Sequence, residues 1–315
     1  MEDAILVSII CNTYNHEKYI EKALKGFLIQ KCDFLFEILI HDDASTDTTQ
    51  KIIKKYEEMY PDIVKPIYET QNVYSVNPQQ ISDIQYARIK GKYVAFCEGD
   101  DYWTDENKLK KQVEILETRN DIDICTHAAW MFQNGKKVGA ISPCDIDCVL
   151  PIEKVILGKG GYVATNSWLI RKEIIDTLPD FAKKYPIDYA YQVYASLRGG
   201  MYYLSDYMSV YNYMNEGSWS KKRKTDIEFS INESKKMIDL YNLINVFSQS
   251  RYEEIIEQLK LYYEYEIEWY EGNTIGIIRN KKYMRILSYK QKMILLFRLI
   301  FPSLYEWSWR KKNKL

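Results

Sequence analysis

The chain has 315 residues, and 43 Lys plus Arg against 44 Asp plus Glu leave a net charge of −1. A hydrophobic content of 46% with 28% charged residues excludes disordered, collagen-like and coiled-coil chains and fits one large domain or two. Near-neutrality argues against a binder that relies on a whole-surface positive field, so no nucleic-acid partner is expected. The six cysteines lack a C-x-x-C pair and the three histidines lie far apart, so the thiols read as reduced rather than zinc-bound. The first apolar run follows two acids, without a positive flank, and no stretch reaches the ~18 apolar residues of a membrane span; cytoplasmic residence is the expectation.

In chain order, residues 4–11 (AILVSIIC) read as a strand buried on both faces, followed by a helix over 16–31 with Tyr19, Ile20, Ala23, Leu24, Phe27 and Leu28 on one stripe. A second strand at 36–41 precedes a helix over 46–60 capped by Ser45, with Ile52, Ile53, Tyr56 and Met59 on one face. A third strand near 64–69 is weakened by Pro66. Then come a helix over 79–90, a strand over 92–97, and a helix over 105–119 capped by Thr104. This alternation predicts an α/β sheet with right-handed crossovers.

Beyond residue 121 the spacing predicts a mixed extension of the sheet. Strands fall at 122–131, 136–141, 166–170, 201–204 and 208–213, with helices near 172–178 and 188–198. Residues 214–225 read as a mobile, basic loop, and a domain boundary is drawn near 222. The remainder, 223–315, reads as helical. Ile227, Ile231, Ile238 and Tyr241 form one stripe, and Tyr252, Ile255, Ile256, Leu259, Tyr262 and Tyr263 the next.

Ligands of open parallel sheets bind beyond the carboxyl ends of the strands. Those ends read Asn12-Thr13-Tyr14-Asn15, Asp42-Asp43-Ala44-Ser45 and Glu98-Gly99-Asp100-Asp101-Tyr102-Trp103, which brings five carboxylates to one edge. Such crowding calls for a hard divalent cation, Mn²⁺ or Mg²⁺, which with few protein ligands also holds phosphates. Neither G-x-x-x-x-G-K-[ST] nor G-x-G-x-x-G follows the first strand, which excludes P-loop enzymes and dinucleotide oxidoreductases.

The runs VSIICNTYN, HDDASTD and CEGDDYW, in this order and spacing, closely resemble family 2 inverting glycosyltransferases with the GT-A fold, especially bacterial enzymes that build surface polysaccharides. The resemblance covers roughly residues 5–220 and implies a GT-A nucleotide-sugar-binding and catalytic domain over 1–222. It implies that Tyr14 stacks on the nucleobase, flanked by Asn12 and Thr13, and that Asp43 accepts a hydrogen bond from the base. It assigns Asp100 and Asp101 to ribose, diphosphate and metal, with Asp101 as the preferred direct ligand. It also implies that Asp188, in Pro186-Ile187-Asp188-Tyr189, is the general base for inversion at the anomeric carbon. The implied donor is UDP-linked, with dTDP as second choice. The implied acceptor is a glycan, a lipid-linked glycan or a glycoprotein. The competing class is a non-catalytic sugar-nucleotide or glycan-binding module on the same fold.

Plainer roles stand beside several of these. Asp42 and Asp47 serve either ligand or turn, and Glu98 either lines the sugar pocket or supports its turn. Trp103 reads as packing, His127 as structural and Cys97 as an inert thiol. Many relatives carry Tyr-Arg-x-His after the last strand, where this chain has Tyr211-Asn212-Tyr213-Met214. Two readings of Lys221, Lys222, Arg223 and Lys224 stay open: a lid replacing that basic pair, or a solvated charge run.

Residues 281–315 carry ten Lys or Arg against Glu306 alone, a local net of +9, interleaved with aliphatics, Trp307 and Trp309. This pattern, broken by Pro302, suits peripheral contact with an anionic membrane at the inner face of the cytoplasmic membrane. Packing on the catalytic domain or self-association into a homo-oligomer are the other readings.

Overall fold

The computed structural model describes residues 4–214 and 219–313. Two compact units divide the chain, Met1–Tyr213 and Met214–Leu315. The first is built on a mixed ten-stranded sheet flanked by helices, the α/β GT-A arrangement expected.

Strand β1 (Ile5–Thr13) is almost wholly buried, as its continuous apolar run requires. Helix α1 (Ile20–Leu28) buries Ile20, Ala23, Leu24 and Phe27. Next come β2 (Leu35–Asp42), α2 (Thr49–Met59), β3 (Val64–Tyr68), α3 (Pro78–Ala87) and β4 (Tyr93–Phe96). These four strands run parallel in the order β3-β2-β1-β4. Pro66 sits on β3, at the edge of the sheet, where a missing N–H costs least. The chain moves outward from β1 to β3 and then returns to the other side of β1. The switch point therefore lies between the carboxyl ends of β1 and β4, where such sheets open a crevice.

After β4 come β5 (Tyr102–Trp103), α4 (Lys108–Thr118), β6 (Ile124–Gln133), β7 (Lys136–Ile141), β8 (Cys148–Leu150) and α5 (Ile152–Leu157). A 3-10 turn, Thr165–Ser167, leads into β9 (Leu169–Arg171), followed by α6 (Lys172–Asp176), α7 (Asp180–Lys184), α8 (Asp188–Arg198) and β10 (Met201–Asn212). The sheet continues β4-β9-β6-β10-β5, with β9 antiparallel to both its neighbours. The two strands expected at 201–204 and 208–213 are one strand, whose pairing with β6 shifts register between Leu204 and Ser209.

Both expected caps are displaced. Helices α2 and α4 begin after Thr48 and Asn107 rather than after Ser45 and Thr104. Asp47 and Asp105 each accept the amide two residues on, from Thr49 and Asn107, so an Asx turn replaces the hydroxyl cap. Met59, expected inside, is exposed.

The second unit is helical. It comprises α9 (Trp219–Thr225), α10 (Ile227–Phe247), α11 (Glu253–Tyr270), α12 (Thr274–Arg279), α13 (Lys281–Ile286), α14 (Tyr289–Ile300) and α15 (Pro302–Asn313). Helix α9 occupies most of the stretch read as a loop and spans the position of the boundary drawn from sequence; residues 215–218 of that stretch lie outside the described residues. The Arg223 guanidinium is held by Ser230 O, Ser234 and Glu266, which removes it from the lid reading. On α10 the buried stripe is Ser230, Ser234, Met237, Leu240, Tyr241 and Ile244, rotated from the expected one, and Ile227 is exposed. A second cluster joins Tyr265, Ile277, Tyr283, Leu287 and Leu295. Among the described residues, no helix is long and apolar enough to cross a membrane.

Candidate active site

The end of β1 and the end of β4 stay paired past the last regular strand residue, because Gly99 N–H donates to Asn12 O at 2.9 Å. A Cβ on Gly99 would lie 2.7 Å from Thr13 Oγ1 and 2.8 Å from Thr13 Cβ, so the approach requires glycine. Asn12 links α3 to the acidic turn: its Oδ1 accepts from Gln85 Nε2 at 3.2 Å and its Nδ2 faces Glu98 Oε1 at 3.5 Å. Thr13 is buried, and its hydroxyl finds no partner among the described residues. Tyr14 is 44% exposed.

At the end of β2, Asp42 accepts from Ser45 N–H at 3.0 Å and Gln50 Nε2 at 2.6 Å, which gives it a turn-holding role. Asp47 likewise serves the turn, accepting Glu17 N–H and Thr49 N–H. Asp43, only 3% exposed, accepts Val73 N–H at 2.6 Å and Tyr74 N–H at 3.1 Å. It thereby fixes the segment after β3 beside the end of β2, while each oxygen keeps capacity for a further donor.

The acidic turn after β4 divides its labour. Asp101 is 5% exposed, with Oδ1 accepting Asn212 N–H at 2.7 Å and Oδ2 accepting Asn166 Nδ2 at 2.9 Å. Burial, with the charge of Asp100, raises its carboxyl well above the usual range. Asn212 also donates from Nδ2 to Asp100 O at 2.6 Å, while the Asp100 side chain stays half-exposed. Thus Asn212 anchors the turn through its backbone N–H and its side-chain amide. Trp103 is buried with its indole N–H on Asn166 O at 2.8 Å, a packing role as expected. His127 and Cys97 are buried too, and all six thiols are free.

Asp188 opens α8 with an exposed side chain whose Oδ2 accepts the Thr165 hydroxyl. Desolvation by the surrounding protein raises its carboxyl, and the Thr165 hydrogen bond opposes the rise. Its charge reaches the strand-end cluster. Burial pushes Glu98 up to about 8, with Asp188 and then Asp100 adding to the shift. The hydroxyls of Tyr86 and Tyr191, 3.0 Å apart, also feel Asp188.

The structure thus brings Asn12, Glu98, Asp100, Asp101 and Asp188 together at one edge of the sheet, with Thr13, Tyr14 and Asp43 on the adjoining strand ends. Sequence reasoning missed Gln85, Thr165, Asn166 and Asn212. The signal for two of them is the polar triplet Thr165-Asn166-Ser167 just before the apolar Trp168-Leu169-Ile170. The oxygen-only, like-charged donor set suits a hard divalent cation. Among the described residues, no three His, Cys, Asp or Glu side chains form a ready-made metal cage, so such an ion would need ligands from elsewhere.

Comparison with known proteins identifies the family and the fold. The family model for glycosyl transferase family 2 matches residues 8–178, more than half of the chain. An uncharacterized protein of Mycobacterium tuberculosis is 35% identical over 215 residues, covering 68% of this chain and 60% of that protein. The chain therefore spans about 60% of the length of such curated relatives. The poly(ribitol-phosphate) β-N-acetylglucosaminyltransferase TarS of Staphylococcus aureus is 33% identical over 118 residues, covering 36% of this chain and 20% of TarS. The crystal structure of TarS residues 1–349 with UDP-GlcNAc superposes with a TM-score of 0.58 at 20% identity, over 84% of this chain and 73% of that one. The mannosyltransferase PcManGT of Pyrobaculum calidifontis, solved with GDP-Man and Mn²⁺, gives a TM-score of 0.56 at 14% identity, over 98% and 83%. The chain belongs to glycosyl transferase family 2 and carries the family's GT-A glycosyltransferase fold.

Proposed function

We propose that the chain transfers a sugar from a nucleotide donor, UDP-linked, to a hydroxyl of a glycan or lipid-linked acceptor at the inner face of the cytoplasmic membrane, with inversion. The observation that carries this reading is the 3-10 turn Thr165–Ser167, which holds Asp188 through Thr165 and Asp101 through Asn166 and so sets both carboxylates beside the end of β4. The TarS complex with UDP-GlcNAc supports a UDP donor.

Tyr14 offers an exposed ring on which a base can stack, and Asp43 keeps acceptor capacity for a base N–H. The orphan hydroxyl of Thr13 and the amide of Asn12 are polar partners for the donor. Asp100 and Asp101 hold the acidic turn at the diphosphate position. Because Asp101 is buried while Asp100 is half-exposed, Asp100 is the more accessible direct ligand for Mn²⁺ or Mg²⁺, reversing the order expected from sequence. When bound, that ion would neutralise charge developing on the leaving diphosphate. Asp188 then takes the proton of the acceptor hydroxyl as it attacks the anomeric carbon, and Thr165 keeps the carboxylate oriented.

UDP release from a panel of UDP- and dTDP-sugars with Mn²⁺ tests the reading. Release with a preferred donor, lowered at least ~100-fold in Asp188→Asn, is expected. Tight donor binding without any release, with or without acceptor, would make the chain a binding module instead.

A further inference from the structure

We infer that α14 and the start of α15 form a docking surface for an anionic phospholipid bilayer. Helix α14 already spends one side on its own unit. Leu295 is buried, and Arg298 donates to Trp269 O at 2.7 Å with its guanidinium over the rings of Trp269 and Tyr305. The opposite side should then be polar, and it is not. Tyr289, Met293, Leu296 and Ile300 follow one another at spacings of four, three and four, which places them on one face, and all are exposed. Phe297 and Phe301 widen the stripe, and Leu304 and Trp307 extend it onto α15. Single exposed apolar residues need no explanation, but a continuous outward stripe does.

Charge selects the occupant. Lys290 and Lys292 flank the stripe on its two sides by helical position, and Lys281, Lys282 and Arg285 are exposed on the preceding α13. No acid occurs between residues 281 and 305. A second copy docking through the same patch would bring like charges face to face, whereas anionic headgroups complement them. Aliphatic and aromatic residues with lysines at the margin match an in-plane interfacial helix, with Trp307 at headgroup depth.

Deleting 281–315 would strip Tyr283, Leu287 and Leu295 from their cluster, so substitutions in the full chain are the cleaner probe. Flotation with phosphatidylcholine vesicles, with and without phosphatidylglycerol, is measured for three proteins: wild type, Leu296→Glu with Ile300→Glu, and Lys281→Gln with Lys282→Gln, Arg285→Gln and Lys290→Gln. Wild type is expected to partition at least ~10-fold better into the anionic vesicles. The glutamate pair loses binding to both vesicle types by ~10-fold or more, and the glutamine set loses the anionic preference alone. The altered side chains are exposed, so melting temperatures should match. Equal flotation of wild type and the glutamate pair overturns the inference, as does a wild-type dimer that the glutamate pair dissolves without any flotation. UDP release measured on the same preparations keeps this outcome separate from the fate of the transferase reading.

Discussion

Asn166 donates to Asp101 Oδ2 at 2.9 Å while its chain neighbour Thr165 gives its hydroxyl to Asp188. One 3-10 turn thereby holds both the acidic turn after β4 and the carboxylate at the start of α8. The same Asn166 amide also reaches Val210 O at 3.0 Å, and its Oδ1 accepts from Ser209 at 2.8 Å. Asn166→Ala would leave a buried carboxylate and a strand carbonyl short of donors. Denaturant unfolding should show a loss of about 1–3 kcal/mol, with UDP release reduced in parallel. Unchanged stability would mean that the turn is held by other means.

Removing the Thr165 hydroxyl should move the pH profile of transfer. Burial raises the Asp188 carboxyl and the Thr165 hydrogen bond lowers it by favouring the charged form. Thr165→Val takes away the lowering influence, so the pKa rises further and less Asp188 is ionised at a given acidic pH. A general base works ionised, so the acid limb of kcat/KM shifts to higher pH, while Thr165→Ser leaves it in place. An acid limb in the same position for both variants would remove Asp188 or its partner from the mechanism.

Tyr14→Ala should raise the donor dissociation constant by roughly 5- to 150-fold, the equivalent of about 1–3 kcal/mol for a base stacked on an aromatic ring. Tyr14→Phe keeps the ring and should bind UDP nearly as well as the wild type. Titration calorimetry with UDP and Mn²⁺ reads both. Equal affinity of the alanine variant would place the base elsewhere.

Gly99→Ala is expected to be disproportionately damaging for one methyl group. Its Cβ would overlap Thr13 and approach His16 Nδ1 at 3.0 Å, which forces the acidic turn away from the end of β1. Overpacking of this kind costs about 1–3 kcal/mol, and the displaced turn should weaken donor binding as well. Thermal unfolding and UDP titration together check it.

The strand ends were legible because buried strands of a parallel sheet announce themselves as continuous apolar runs, and Asp42-Asp43 and Glu98 to Asp101 stand where those runs stop. What surrounds them was not. Asn166 lies 65 residues from Asp101, and Asn212 lies 111 residues from it, so neither hydrogen bond leaves a local pattern. The helix starts slipped by three residues where Asp47 and Asp105 outcompeted Ser45 and Thr104 for the free amides. On α10, Ser230 and Ser234 are buried beside Arg223 and its partner Glu266, a polar seam that an apolar-stripe reading passes over. The strand of Tyr102 and Trp103 is set by Ser209 and Val210 on β10 rather than by its own two residues.

A structure of the chain with UDP and Mn²⁺ tests the central claim most directly. The account predicts uracil on the Tyr14 ring with Asp43 at its edge, and the cation between the diphosphate and Asp100, with Asp101 still bound to Asn166 and Asn212. Nucleotide lodged away from the ends of β1 and β4, or Asp100 turned from the cation, would contradict it.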